Sequence, residues 1–565
     1  KILDNIEEKE AKLLVWGIVD ISFSKNEIYQ CIFDITDNID EISEDEKDPD
    51  VVFKDLIDKQ LIFYIDSDRL RSRMCETVRL LYHLRQIFPR NAGDNWQNAP
   101  TLVSDFRLIK RNRSFPKRNI NQNELIYNLD QNNINQNIIK SITILSKNMK
   151  LANFQIRSTE QILESLSKNN VSGNLISAGT GSGKTLGFYF ACLGQICSNI
   201  YRNTRNDHWL QCLSIYPRTE LLKDQLNSIY AEARKLDEFL KSNGKRKISV
   251  GALYFDVPQN NYYVQEKWKK IGEDFICPFL TCIKCSSKLL WKKNNLDQGV
   301  EKLSCQNPSC EFETSSDEIM LTRNKMVSTP PDILFTTTEM LNQNTSELKY
   351  HKLFGIRRNK LKPQMILLDE IHTYSGTHGA QVAYLIRRLR MLIKSKITFV
   401  ALSATLVDGA RFLSRMVNVS ENKVNVIEPF PDEMDYRGSE YLIALKGDPI
   451  SKSALLSTTI QANMLLARML DNHSESKSEG FFGKKLFAFT DDIDVVNRLY
   501  HSTLDSEGRK YNGYEDGSKD ALASLRDPSN LSGIKNNQGQ VWKIPSIIQN
   551  DSSLTNKKKV VRVSS

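Results

Sequence analysis

Six short apolar runs constrain the fold more than any other feature of the sequence: GNLISA (173–178), CLSIY (212–216), ISVGALYF (248–255), DILFTT (332–337), QMILLD (364–369) and ITFVALS (397–403). Each is mostly continuous rather than alternating, as a strand covered on both faces must be. Helical segments separate most of them, for example TLGFYFACLGQI and TELLKDQLNSIYAEARKLDEFL. Strands alternating with helices in this way predict an α/β domain with a parallel sheet and right-handed crossovers. These runs occupy under half of a chain of 565 residues, a length that allows about three or four domains.

The flanking sequence has a different texture. Residues 1–150 read as a mostly helical module. Ser24 to Glu27 (SKNE) is a capping box, and an acidic linker runs from Asp37 to Asp50. VVFKDLIDKQLIFYID gives a helix and a β-run, and LRSRMCETVRLLYHLRQIF gives a long helix with Leu70, Met74, Leu81 and Leu84 at helical spacing. Two helices and a short β-wing fit a winged-helix module, and they fit a helical bundle equally. In FRLIKRNRSFPKR, Arg107, Lys110, Arg111, Arg113, Lys117 and Arg118 face one acid, Asp105, a run that suits either phosphate contact or a solvated face. The Asn/Gln-rich stretch from Asn119 to Asn137 reads as a surface connection. After about Asn422 a further domain is expected, with the helix SALLSTTIQANMLLARML, the strand KLFAFT (485–490) and the helix IDVVNRLYHSTL, followed from Asp505 by loop-like sequence. The expected boundaries are therefore 1–150, 151–425 and 426–565.

Composition sets further limits. Lys and Arg number 77 against 68 Asp and Glu, a net charge of +9 that permits a polyanionic partner without demanding one. No window approaches the roughly 18 uninterrupted apolar residues of a membrane helix, and the start lacks a signal peptide, so a cytoplasmic protein without a membrane partner is expected. Of ten cysteines, Cys277, Cys282, Cys285, Cys305 and Cys310 fall within 34 residues. In a reducing compartment such a cluster favours metal over disulfide. Cys282-x2-Cys285 and Cys305-x4-Cys310 have the spacing of a structural zinc site with no open position for catalysis, and Cys277 is a fifth candidate able to replace Cys282. The insertion that carries them spans about residues 257–325. Lys284, Lys288, Lys292, Lys293 and Trp291 interleave with the ligands and suit a nucleic-acid backbone or plain exposure. Cys31, Cys75, Cys192, Cys197 and Cys212 lie in apolar segments and read as core residues.

Between the first apolar run and the following helix stands AGTGSGKT, Ala178 to Thr185. Gly179, Gly181 and Gly183, with Thr180 and Ser182 between them, let backbone N–H groups converge on phosphate oxygens at a helix N-terminus; Lys184 reaches the β- and γ-phosphates, and Thr185 offers a hydroxyl to Mg2+. The strict motif has Gly where Ala178 stands. QMILLD ends in Asp369-Glu370-Ile371-His372: Asp369 can reach the metal and Glu370 can position and deprotonate water.

AGTGSGKT, DEIH and Ser403-Ala404-Thr405, in that order, resemble motifs I, II and III of superfamily 2 DExH-box helicases. The resemblance spans about residues 154–501 and implies RecA-like domains. Gln161 lies where the family's adenine-reading Gln precedes motif I, and Tyr216-Pro217-Arg218-Thr219-Glu220-Leu221 with Gln225 is similar to motif Ia. PPDILFTTTEML, with Thr337, Thr338 and Glu339, resembles a segment that contacts a nucleic-acid strand; KLFAFTDDIDVVNRLYH resembles the opening of the second RecA-like domain. The resemblance gives His372 and Ser403 to Thr405 a coupling role. DEIHTYSGTHGAQVAYLIRRLRML resembles Lhr and MrfA-like DNA helicases and helicases of phage-defence islands such as DrmA of DISARM and DpdJ, as do the N-terminal segments and the cysteine insertion. The resemblance implies an ATP- and Mg2+-dependent helicase or translocase on DNA with a single-stranded region, active in bacterial anti-phage defence, with a defence-system protein partner through the N-terminal module. The same residues leave open a remodelling ATPase that separates no strands, or a binding scaffold with a vestigial site. No segment after residue 501 resembles motif V or VI, so residue 565 is expected to be a truncation point within the second RecA-like domain.

Overall fold

All six apolar runs become strands of one sheet in the computed structural model, which describes residues 1–36, 48–86, 98–168, 170–356, 358–404, 406–450, 455–528, 539–551 and 553–562. The strands are β1 (Ser172–Ser177), β2 (Cys212–Tyr216), β3 (Val250–Leu253), β4 (Ile319–Met320), β5 (Ile333–Thr337), β6 (Met365–Leu368), β7 (Thr398–Ser403) and β8 (Val424–Ile427). They run parallel in the order β4-β3-β5-β2-β6-β7-β1-β8. Strands β1, β2, β6 and β7 are buried at every residue, the reason their sequences do not alternate. Helices that flank this sheet include α1 (Asn153–Ser167), α2 (Lys184–Arg202), α3 (Thr219–Arg234), α4 (Thr338–Thr345), α5 (Gly376–Ile393) and α6 (Gly409–Val417).

The Asn/Gln-rich stretch is a correction to the sequence reading. It carries helix Gln122–Gln131, and helix Gln136–Leu145 begins at its end. Leu125, Leu129, Ile138 and Ile142 join the core of the sheet domain, and Ile138 approaches Gly194 of α2 so closely that a Cβ there would lie 3.0 Å from it. Four apolar residues at helical spacing outweigh a polar composition.

Between β3 and β4 the chain builds a separate antiparallel sheet from Lys270–Ile271, Asp274–Thr281, Lys288–Trp291 and Leu303–Cys305. Asn227 of α3 anchors it, donating to Phe279 O at 2.9 Å and accepting from Thr281 N at 2.8 Å.

Contacts divide the chain into two units, residues 114–436 and residues 1–113 with 437–565. The boundaries thus fall at 113/114 and 436/437 rather than near 150 and 425. In the second unit, helix Ile2–Leu14, strand Phe23–Ser24, helices Lys25–Thr36 and Pro49–Asp58 and the hairpin Ile62–Tyr64/Arg69–Ser72 follow one another, and the three strands pair in the order first-third-second. That is winged-helix topology. Ser24 and Glu27 close their capping box, with Ser24 N donating to Glu27 Oε2 at 2.6 Å and Glu27 N to Ser24 Oγ at 3.3 Å. Of the acidic linker, residues 37–47 lie outside the described residues. The expected long helix is shorter: Arg69–Ser72 is the strand that pairs on both sides, and the helix starts at Arg73 and ends at Tyr82. Residues 87–97 fall outside the described set.

The later part of this unit departs further from expectation. KLFAFT forms no strand, and Phe487 and Phe489 are exposed. The loop-like tail is part of a core: Trp542, Ile544, Ile548 and Leu554 pack with Leu80, Leu81, Leu84 and Leu465. The basic run is mostly strand Val103–Pro116, paired with Met434–Gly447, and its cations meet acids: Lys110 bonds Asp4, and Arg111 Nε reaches Glu440 Oε2 at 2.6 Å.

Candidate nucleotide site and nucleic-acid edge

The loop from Ala178 to Thr185 turns out of β1 into α2 with Gly181 and Gly183 at φ +76° and +85°, a left-handed region that favours glycine. Ala178 N donates to Ser403 O at 3.2 Å, which ties the loop to the end of β7. Lys184 Nζ is buried without a hydrogen-bond partner, and so is Ser182 Oγ. A buried ammonium left without an acceptor is costly, so the site fits a polyanion such as a triphosphate.

Gln155, which sequence spacing missed, braces this loop. Its Oε1 accepts from Ala152 N at 2.9 Å and its Nε2 donates to Gly183 O at 2.9 Å. A Cβ on Gly183 would lie 2.7 Å from that Nε2. Gln161, which the resemblance makes the adenine-reading residue, sits half-buried further along α1 with no side-chain hydrogen bond to the loop. The register follows from packing: Gly187 of α2 lets Ser158 approach within 2.8 Å of its Cβ position, and this fixes which turn of α1 meets the loop. Arg118 arrives from the end of the basic run, its Nη2 3.4 Å from Ser182 O, with Phe115 beside Gly181. Arg118 therefore lies at the nucleotide loop rather than along a nucleic-acid track.

Asp369 stands at the end of β6, two strands from β1, where its N donates to Ile215 O at 3.1 Å. Burial pushes its carboxyl up to about 6, with Glu370 adding to the rise while the Glu370 N–H and the Lys184 ammonium oppose it. Glu370 holds φ +46°, a strained conformation for a residue other than glycine. His372 Nδ1 lies 3.3 Å from Glu370 Oε2 and 3.2 Å from Ser403 Oγ, so one ring links the water-positioning candidate to β7. Ala404 follows at the end of β7, and Thr405 lies outside the described residues.

The other half of the sheet edge carries the remaining candidates. Pro217 and Arg218 follow β2; Arg218 is exposed at the N-cap of α3. Thr337 ends β5 and caps α4 by accepting from Met340 N at 3.4 Å, with Thr338 and exposed Glu339 in the first turn. Arg387, Arg388 and Arg390 of α5 serve structure instead: they donate to Arg415 O, to Asn342 and Thr345, and to Val417 O and Asn418 O.

Residues 153–254 and 294–411 match the DEAD/DEAH box helicase family. The chain carries a DEAD/DEAH box helicase domain. It is similar to Druantia protein DruE of Escherichia coli, 26% identical over 321 residues, covering 47% of this chain and 17% of DruE. It is also similar to the uncharacterized ATP-dependent helicase MJ1574 of Methanocaldococcus jannaschii, 31% identical over 99 residues, covering 17% of this chain and 14% of that protein. Among solved structures, the DUF1998 helicase MrfA bound to DNA aligns at 14% identity over 71% of this chain and 41% of that one, with a TM-score of 0.40. The chain thus spans a minor part of the length of the curated relatives it matches.

The helicase family match skips residues 255–293, where the antiparallel insertion begins. The insertion brings four cysteines together. The sulfurs of Cys282, Cys285, Cys305 and Cys310 all lie within 4.8 Å of one another, with Cys282–Cys310 at 3.7 Å and Cys285–Cys305 at 3.4 Å. Four thiolates about 2.3 Å from a zinc ion form a tetrahedron with edges of about 3.8 Å, so this donor set fits. Cys277 is outside the group: it is buried in a strand, where burial pushes its thiol up to about 12. Trp291 is wholly buried and donates to Val300 O at 2.9 Å, which makes it a core residue of the insertion.

Proposed function

We propose that this chain is the ATP-driven part of a superfamily 2 DNA helicase or translocase that works in the bacterial cytoplasm in anti-phage defence. The observation that carries the reading is the convergence at one sheet edge of an unpartnered buried ammonium, Lys184, with Asp369 and the Glu370–His372–Ser403 chain. ATP is the substrate of that constellation. Lys184 and the N–H groups of Gly179 to Thr185 bind the phosphates. Thr185 and Asp369 would hold Mg2+, which neutralises phosphate charge when bound. Glu370 orients the attacking water and takes its proton. His372 holds Glu370 in place and passes the state of the site to Ser403 on β7. Arg218, Thr337 and Thr338 lie on the edge away from the phosphate loop and receive the nucleic-acid strand.

Cys282, Cys285, Cys305 and Cys310 would hold a structural zinc ion, whose chemistry is that of a cross-link; the cysteines stiffen the insertion and leave no open position. All ten cysteines are free thiols, which suits a reducing cytoplasm. No helix among the described residues is long and apolar enough to cross a membrane. The winged-helix module would engage a protein partner: its third helix sets Asp50, Asp55 and Asp58 against Lys54 and Lys59, and its hairpin sets Asp66 and Asp68 against Arg69, so it presents no excess of cations for phosphate. The similarity to DruE supports the defence role.

The test is ATP hydrolysis titrated in parallel with single-stranded DNA, duplex DNA and RNA, beside a strand-displacement assay. Stimulation by single-stranded DNA with displacement is expected. Stimulation without displacement would leave a translocase, and turnover indifferent to every nucleic acid would overturn the reading.

A further inference from the structure

Phe255 opens the stretch that the helicase family match skips, two residues beyond the end of β3. Single exposed apolar side chains are ordinary on a protein surface. Three observations set this one apart. The first is its place. In the sheet order, β3 neighbours β5 and β5 neighbours β2, so the C-terminal end of β3 continues the edge that carries Thr337, Thr338 and Arg218. Neighbouring strands stand about 4.8 Å apart, and Phe255 extends that edge by one strand, away from the phosphate loop.

The second is rigidity. The backbone around the ring is fastened on every side: Tyr254 O accepts from Arg323 Nη2 at 3.1 Å, Val257 O from Arg323 Nε at 3.0 Å, Asp256 O from Trp268 Nε1 at 3.2 Å and Pro258 O from Arg323 N at 3.0 Å. The side chain on this held loop is nevertheless 71% exposed. A rigid exposed ring loses little conformational freedom when something lies against it.

The third is charge. Lys267 Nζ sits 3.5 Å from the ring centroid and donates to Phe255 O at 3.2 Å, and Lys269 and Lys270 follow it, exposed. The one acid in the turn, Asp256, faces Lys223 at 3.7 Å. An aromatic face beside ammonium groups is the chemistry that takes a base and its phosphate from a single strand, with no demand on base identity.

We propose that Phe255 and Lys267 form a stacking step for single-stranded nucleic acid at the outer end of the sheet edge, the ring taking a base on its open face and the ammonium an adjoining phosphate. The insertion thereby lengthens the strand track beyond the helicase domain itself. This inference rests on the nucleic-acid reading above, and its test separates the two. The 565-residue chain is titrated with fluorescent oligo-dT and with the same oligomer carrying abasic positions, using wild type, Phe255→Ala, Phe255→Trp and Lys267→Ala, with thermal unfolding as the check on folding. Phe255→Ala is expected to weaken oligo-dT binding about tenfold, Phe255→Trp to preserve it, and the abasic oligomer to bind wild type and Phe255→Ala alike. Lys267→Ala is expected to weaken both oligomers, with a shallower salt dependence. Equal oligo-dT binding by wild type and Phe255→Ala would overturn the stacking step and leave the nucleic-acid reading standing; no binding by wild type to any nucleic acid would overturn both.

Discussion

Glu370 and Lys184 are separable by experiment because they act at different moments. Lys184 offers a buried ammonium with no hydrogen-bond acceptor among the described residues, so its energy is realised when phosphate arrives. The Glu370 carboxylate faces His372 Nδ1 at 3.3 Å and not the phosphate loop, so its part is played after binding. Glu370→Gln is expected to bind an ATP analogue as wild type does while turnover falls at least about a hundredfold, the scale of a lost general base. Lys184→Ala is expected to lose the binding itself, and normal hydrolysis by either variant would sink the assignment. The glutamines give a second contrast. Gln161 was named from the family resemblance, but a motif's place along the chain does not say which turn of α1 faces the loop. That is set by the contact of Ser158 with Gly187, which no local pattern encodes. Gln155→Ala leaves the buried Ala152 N without its acceptor and removes one of the two donors to Gly183 O, and is expected to cost about 1–3 kcal/mol by thermal unfolding and to weaken nucleotide binding; Gln161→Ala is expected to stay within about 0.5 kcal/mol.

At the scale of elements, the strands of the sheet were readable because burial on both faces leaves a continuous apolar signature, whereas elements defined by partners were not. Arg69–Ser72 has the periodicity of the helix that follows it and becomes a strand only because two other strands flank it. KLFAFT has the composition of a buried strand and pairs with no strand among the described residues. The cysteine insertion was legible in the opposite way, since the spacing of Cys282, Cys285, Cys305 and Cys310 already pairs the four sulfurs that the fold brings together. Purified chain is expected to carry about one zinc, and Cys305→Ser or a strong chelator is expected to remove it and expose the insertion to protease; elemental analysis that finds no zinc would refute the site. Helix α5 rests on a different kind of constraint. A Cβ on Gly379 would lie 2.3 Å from Tyr374 O, a backbone atom that cannot step aside. Gly379→Ala is therefore expected to cost about 1–3 kcal/mol and to lower turnover by shifting the turn that holds His372, read by calorimetry beside an ATPase assay.

The whole molecule is where the sequence was least legible, because the chain leaves one unit near residue 113 and returns to it near 437, and a linear reading divides such a unit in two. The tail from Asp505 hid its role in the same way: Trp542, Ile544 and Ile548 are sparse among polar residues, yet they complete a core begun by Leu80 and Leu81. The stability of this non-contiguous unit carries a testable dependence on pH. Glu7 is buried, accepts from Tyr441 OH, and is pushed up to about 8, by burial first and then by Glu10 and Asp4, against the pull of Lys110. Glu10 is pushed up to about 7 by burial, although Ser72 N donates to it at 2.9 Å and Arg71 also favours its charge. Both residues lie on helix Ile2–Leu14, Ser72 comes from the wing hairpin and Tyr441 from beyond residue 437, so the two carboxyls sit where the halves of the unit meet. In the unfolded chain each returns to its ordinary value of 4.5. Between that value and the folded ones the native state holds protons that the unfolded state has released, so stability is full below the unfolded value and is lost as pH rises through about 7 to 8. The unfolding midpoint of this unit is expected to fall by several degrees between about pH 5 and about pH 9, and Glu7→Gln, which keeps an acceptor for Tyr441 but cannot ionise, is expected to flatten that slope. A wild-type midpoint that holds level or rises over this range would show that neither carboxyl is kept protonated by the fold, and a Glu7→Gln slope equal to that of wild type would show that Glu7 is not.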